Sequence, residues 1–310
     1  MGATNGSAPM GRTPEPGLLR SLLFAPASHE RHSRKALESA ADAAILDLED
    51  AVPEADKGMA RHRAAALLSE RALPAPLALV RINALATAHA YPDLLQVVGP
   101  GLDGIVLPKT ESAEDVHTLA WALTQLERGR GLAAGAIRII PIVESARGLY
   151  AAVAIAGASP RVRTLNFGVG DFTLDTGMLP EPGNPGVSWA RAQVALACRL
   201  AGAEPPIDTA HLTLDDHEGL EREALDARRL GFQGKACIHP DQLPVVHRVF
   251  TPTPAEVARA QTIVDRFEAA LTAGVGALRV GPDFVDQPIA ARAVQVLERA
   301  RRAGVREEAP

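Results

Sequence analysis

The residues of this chain best suited to chemistry are acids and cations that close short apolar runs. Asp47, Glu49 and Asp50 end the run Ile45-Leu-Asp-Leu-Glu-Asp50. Arg81 and Asn83 end Leu79-Val-Arg-Ile-Asn83, and Lys109 follows another apolar run. Glu144 and Ser145, Asp171, and finally His239 close three more. Glu144 and Asp171 lie about one strand–helix unit apart, so neighbouring strands would carry both to one rim. Two converging carboxylates without His or Cys point to a hard cation, because Mg²⁺ is held by one or two carboxylates plus water and substrate oxygens. Spacing alone equally allows Glu144 to cap a helix and Asp171 to end a strand. Arg81 is a permanently charged fork suited to bidentate capture of a carboxylate. Its competing role is an ion pair with Asp47 or Glu49. Lys57 and Arg61, four residues apart on the following helix, could neutralise those acids. His239, in Cys237-Ile-His-Pro240, reads either as a ligand contact or as a hydrogen-bonded structural histidine. The other histidines show no HExxH spacing, and no GxSxG elbow marks a serine hydrolase.

Strands must position these groups, and the chain supplies eight candidates. They are Arg20–Ala27, Ala43–Asp50, Leu77–Asn83, Gly104–Thr110, Arg138–Ser145, Arg163–Asp171, Pro206–His211 and Lys235–Pro240. Several are continuous apolar runs, as in parallel strands buried on both faces. Helical patterns separate them, including Ala113–Glu127 and Asp226–Leu230, the latter stopped by Gly231. Eight strand–helix units without a GxGxxG fingerprint predict a TIM (β/α)₈ barrel, whose chemistry sits at the C-terminal strand ends. We expect a disordered tail over residues 1–17, a barrel over 18–252 and a C-terminal extension over 253–310. In the extension, Pro254–Thr272 reads as a helix. Gly274–Arg302 reads as a short strand, a turn at Gly281-Pro282-Asp283 and a second helix, which suits a lid or subunit-contact element.

Composition narrows the function. With 47% hydrophobic and 22% charged residues the chain can bury a large core, packed from aliphatics because aromatics are only 4%. A net charge of −5 offers no basic footprint for nucleic acid. No segment reaches the ~20 apolar residues of a membrane helix, and the first residues lack the apolar run of a signal peptide. Cys198 and Cys237 form no CxxC pair and fit a reducing compartment. A cytoplasmic protein is expected, and small anionic molecules stay open as partners because local Arg and Lys can outvote a mildly negative whole.

Five segments resemble the HpcH/HpaI aldolase and citrate lyase β-subunit superfamily, in its CoA-ester lyase branch. They are Arg20-Ser-Leu-Leu-Phe-Ala-Pro-Ala-Ser28, Ala44-Ile-Leu-Asp-Leu-Glu-Asp-Ala-Val52, Val80-Arg-Ile-Asn83, Ile142-Val-Glu-Ser-Ala-Arg-Gly148 and Phe284-Val-Asp-Gln-Pro288. The resemblance implies a TIM barrel with Mg²⁺ on Glu144 and Asp171, and Arg81 on the substrate carboxylate. It implies CoA contacts from Phe24, Arg31, Lys35, Ile238 and His239. Asp286 becomes the acid of a C-terminal lid that closes on a neighbouring subunit, in a homo-oligomer such as a trimer or a dimer of trimers. The implied reaction makes or breaks a carbon–carbon bond, joining a 3-hydroxyacyl-CoA thioester to an acyl-CoA and a 2-oxo acid, as in citramalyl-CoA or malyl-CoA lyases. A citrate lyase β subunit, a malyl-CoA thioesterase, a CoA-independent aldolase and a non-catalytic relative are the alternatives. The chain departs from the pattern in three places. Ala27 stands where many relatives carry Gly. Gly170-Asp-Phe-Thr-Leu-Asp-Thr-Gly177 has acids at both ends, so Asp175 competes with Asp171. The loop Gly281-Pro282-Asp283 also differs.

Overall fold

The computed structural model describes residues 18–71 and 76–305. The tail expected over residues 1–17 lies outside that range. Eight parallel strands close a barrel in chain order: β1 (Ser21–Pro26), β2 (Ala43–Asp47), β3 (Leu77–Arg81), β4 (Gly104–Leu107), β5 (Arg138–Val143), β6 (Asn166–Phe167), β7 (Ile207–Asp208) and β8 (Gly234–Cys237). β8 returns to pair with β1, Ser21 opposite Lys235. This is the TIM barrel that the alternation of runs predicts. Its helices are α1 (Glu30–Leu37), α2 (Lys57–Glu70), α3 (Ala90–Val97), α4 (Ala113–Gly129), α5 (Ala146–Tyr150), α6 (Ala152–Gly157), α7 (Val169–Thr176), α8 (Pro185–Leu200), α9 (His217–Arg229) and α10 (Leu243–Phe250).

Period-two alternation along the strands makes two apolar layers. Leu22, Ile45, Leu79, Val106, Ile142 and Ile207 fill the barrel interior. Leu23, Leu46, Val80, Ile105, Ile139 and Val143 face outward and join the cluster that includes helix residues such as Leu67, Leu119 and Val194. Each buried methylene contributes about 0.8 kcal/mol, so two such layers dominate the stability. Local chemistry sets the element ends. Ser112 and Asp115 form a reciprocal capping box at the start of α4. Beyond α9, Gly231 takes a left-handed φ of 97° that only glycine adopts cheaply.

The expected strand Arg163–Asp171 is wrong in extent. β6 is only Asn166–Phe167, and α7 begins at Val169. Phe172 turns back onto Phe167, with ring centroids 5.3 Å apart, so that contact favours a helical turn over further extension. Asp171 therefore stands in the first turn of α7 rather than at a strand tip. There its charge suits the positive end of the helix.

Leu19–Thr251 form one compact unit; residues 252 onward belong to a second, with Leu18. The second unit holds α11 (Pro254–Thr272), an antiparallel pair β9 (Leu278–Val280) and β10 (Asp283–Val285), and α12 (Gln287–Arg302). Ala260, Ile263, Phe267, Val285, Ala290 and Ala293 form its own core. Among the described residues, no helix is long and apolar enough to cross a membrane.

Candidate active site

The C-terminal strand ends carry an interlocked set of charges. Asp47 ends β2 and Arg81 ends β3, directly opposite in the register. Arg81 donates from Nε and Nη2 to the two Asp47 oxygens, both at 2.6 Å. Its Nη1 lies 3.0 Å from Glu49 Oε2, without the alignment of a hydrogen bond. Burial opposes the charge of Arg81, but the bond to Asp47 and the nearby acids hold its pKa above the ordinary value. The guanidinium also lies over the Phe24 ring, 5.2 Å from the centroid. The ion pair considered for Arg81 is therefore the one present. Asp47 grips one edge, and the nitrogens keep further N–H groups for a ligand.

Glu144 follows β5 and is 6% exposed. Its Oε1 accepts the backbone N–H of Lys109 at 2.6 Å. Burial pushes its carboxyl up to about 8; the charges of Glu49 and Asp171 add to the rise, while Lys109 N–H and Arg81 oppose it. Gly168 makes room for this carboxylate. A Cβ there would stand 2.7 Å from Glu144 Oε2.

The sequence marks Lys109 only as a polar strand end, and the structure gives it more to do. It is the one non-glycine residue with positive φ (49°) among the described residues. Strain of this kind is typical where backbone is held for function. The conformation aims its N–H at Glu144, while Nζ pairs with Glu49 at 2.7 Å and reaches Asp50 at 3.4 Å. The only sequence signal was its place at a strand end, because φ cannot be read from a lysine.

Two cavities share the Glu144 side chain. The first, of about 570 Å³, is also lined by Lys109, Ser145, Asp171 and Asp175. The second, of about 380 Å³, lies over the barrel interior and is lined by Phe24, Asp47, Arg81, Asn166 and Ile238. Glu144 and Asp171 thus reach one space. Asp175 is engaged as the acceptor of Ala146 N–H at 2.8 Å, so Asp171 is the freer partner for a cation. Among the described residues no three His, Cys, Asp or Glu side chains form a ready metal cage. Two carboxylates lining one cavity, with no third protein ligand among the described residues, fit Mg²⁺, which keeps waters and substrate oxygens in its shell.

Other expected residues fall in different places. Arg31 and Lys35 are exposed one turn apart on α1, and among the described residues neither has an ion-pair partner. His239 is exposed and caps the turn Pro240–Gln242 by accepting from Asp241 N, which is its structural reading. Asp286 accepts from Ile289 N–H as the N-cap of α12. Lys57 donates to the Leu48 and Glu49 carbonyls and so steadies the acidic loop. Arg61 does not neutralise that loop. It pairs with buried Asp93, which also accepts from Asn83 and fixes the segment after β3. Cys198 and Cys237 are buried thiols, and burial pushes each up to about 12, so neither is a nucleophile.

The family described as HpcH/HpaI aldolase/citrate lyase matches residues 20–240, and one described as a C–C bond lyase of the TIM-barrel fold matches 199–305. The chain belongs to the HpcH/HpaI aldolase/citrate lyase family. It is a carbon–carbon lyase. The citrate lyase subunit beta of Haemophilus influenzae is 35% identical, over 94% of this chain and 99% of that protein. The L-malyl-CoA/beta-methylmalyl-CoA lyase of Cereibacter sphaeroides is 34% identical, over 83% and 87%. Among solved structures, the Mycobacterium tuberculosis protein CitE in complex with magnesium, acetoacetate and coenzyme A is 33% identical. It superposes with a TM-score of 0.73, over 92% of this chain and 98% of that one.

Proposed function

We propose that this lyase cleaves, or in reverse forms, a 3-hydroxyacyl-CoA thioester, giving an acyl-CoA and a small 2-oxo acid, in the manner of citramalyl-CoA or malyl-CoA lyases. One observation carries the reading. Glu144 lines one cavity with Asp171 and the other with Arg81, so two candidate metal ligands and a guanidinium suited to a carboxylate border adjoining spaces. Glu144 and Asp171 hold Mg²⁺, which when bound acts as a Lewis acid on substrate oxygens. Arg81, fixed by Asp47, orients the carboxylate of the acid half. Lys109 N–H holds the Glu144 carboxylate in place. Phe24 and Ile238 supply the apolar wall for the thioester arm, and the exposed cations Arg31 and Lys35 meet CoA phosphates, with His239 a further CoA-side contact. The hydroxyl gives up its proton to solvent as the bond between its carbon and the thioester α-carbon breaks. The first carbon becomes the 2-oxo carbonyl, and the second carries the electrons as an enolate. Asp286 protonates that enolate, supplied by the extension of a neighbouring subunit in a homo-oligomer.

The test is incubation with Mg²⁺ and malyl-, citramalyl-, methylmalyl- and citryl-CoA, with products identified by mass. The expected result is cleavage of at least one to an acyl-CoA and an oxo acid, abolished by EDTA. Free malate without glyoxylate would show a thioesterase instead. Asp286→Asn should remove turnover while leaving oxo-acid and Mg²⁺ binding intact; an unchanged kcat would remove Asp286 from the mechanism. A second reading, the β subunit of a citrate lyase acting on a citryl thioester, is favoured by the near full-length match to the Haemophilus protein. It predicts activity only on a citryl thioester of a partner carrier protein.

A further inference from the structure

Strand β6 carries one polar side chain into a layer that is otherwise apolar. Asn166 is in register with Ile142 of β5 and Ile207 of β7, both members of the interior cluster. It is buried, at 3% exposure. An amide in such a layer is costly unless its polar atoms find partners. Its Nδ2 donates to Ile207 O at 3.0 Å and lies 3.5 Å from Asp208 O. Both neighbours are carbonyls, which only accept. The amide nitrogen must therefore face β7, and Oδ1 must turn the other way.

Among the described residues Oδ1 accepts no hydrogen bond. Nor is it sealed off. Among the described residues, the buried side-chain atoms left without a partner belong to Glu49, Arg71, His211 and Gln233. Oδ1 therefore opens onto the cavity that Asn166 lines with Arg81 and Glu144. Arg81, the charged donor lining that cavity, turns Nε and Nη2 to Asp47 and makes no hydrogen bond to Asn166. A ligand hydroxyl or other donor would satisfy Oδ1.

We infer that Asn166 is a specificity-determining residue whose Oδ1 accepts a hydrogen bond from the hydroxyl of the hydroxyacyl thioester. This rests on the proposed lyase reading. A hydroxyl donates to Oδ1. A carboxylate in its place would offer only acceptors, and a bare methylene would leave the amide oxygen unpaired. Sites built around a substrate hydroxyl reject the analogue that lacks it for this reason.

The experiment compares the hydroxyacyl thioester that the enzyme cleaves with its deoxy counterpart: malyl-CoA with succinyl-CoA, or citramalyl-CoA with methylsuccinyl-CoA. Binding is measured by calorimetry in EDTA, where the proposed lyase does not turn over. Wild type should bind the hydroxyl-bearing thioester about three- to tenfold more tightly, the worth of one neutral hydrogen bond. Asn166→Leu keeps the volume and suits the apolar layer. It should bring the ratio close to one while leaving affinity for the deoxy thioester nearly unchanged. If Asn166→Leu does not fold, Asn166→Val, a good strand former, carries the same comparison. A wild-type ratio of one, or a variant that keeps the wild-type ratio, overturns the assignment. Failure of the lyase reading itself shows separately, as no Mg²⁺-dependent cleavage by wild type.

Discussion

Mg²⁺ binding to this lyase should be strongly pH-dependent, because a proton and the metal compete for Glu144. Burial raises that carboxyl to about 8, helped by Glu49 and Asp171. At pH 6 the group is almost wholly protonated, and binding metal must expel the proton. Each pH unit below the pKa then weakens apparent affinity about tenfold, or about 1.4 kcal/mol. The affinity should rise about tenfold from pH 6 to pH 7, about fiftyfold by pH 8, and then level off. Titration calorimetry at each pH measures this directly, and repeating it in buffers of different ionisation enthalpy should reveal release of close to one proton at pH 7. Glu144→Gln still accepts Lys109 N–H, but it should bind Mg²⁺ weakly and lose the slope. The metal-free protein gives a second readout. Glu144 has a folded pKa near 8 and an ordinary value of 4.5, so its contribution to stability is full below about 4.5 and is lost as pH rises through 8. The total is at most about 5 kcal/mol, and Glu144→Gln should remove it. Mg²⁺ affinity that stays flat between pH 6 and 8 in wild type would refute the placement of Glu144 at the metal.

Three further outcomes are expected. Gly168→Ala has no backbone penalty, since φ is −105°, but its Cβ would strike the Glu144 carboxylate; Mg²⁺ affinity should drop about tenfold or more by calorimetry, with circular dichroism unchanged. Arg81→Lys cannot make the paired bonds to Asp47, and kcat/KM for the thioester should fall about ten- to a hundredfold while the fold persists. Lys235→Met leaves Asp208 and Glu223 short of a buried partner in the layer between strands and helices, which should cost about 3 kcal/mol and lower Tm by roughly 6–12 °C in a melting scan.

Much of this enzyme is determined by its sequence alone. Continuous apolar runs such as Ala43–Leu46 require strands buried on both faces, and eight of them at helix-sized intervals leave a closed barrel as the simple way to cover every edge. The order of elements follows, and so does the rim on which Asp47, Arg81, Glu144 and Lys109 stand, because chain direction in a parallel barrel puts every strand end on the same face. Element ends and side-chain partners were decided only by packing. Phe172 folding back on Phe167 cut β6 short and moved Asp171 onto a helix. The left-handed turn at Lys109 that aims an N–H at Glu144 has no glycine to announce it. Asp93 captured Arg61, which the sequence left equally free to neutralise the β2 acids. In each case one-dimensional periodicity states which face a residue occupies, whereas its partner is set by contacts between segments far apart along the chain.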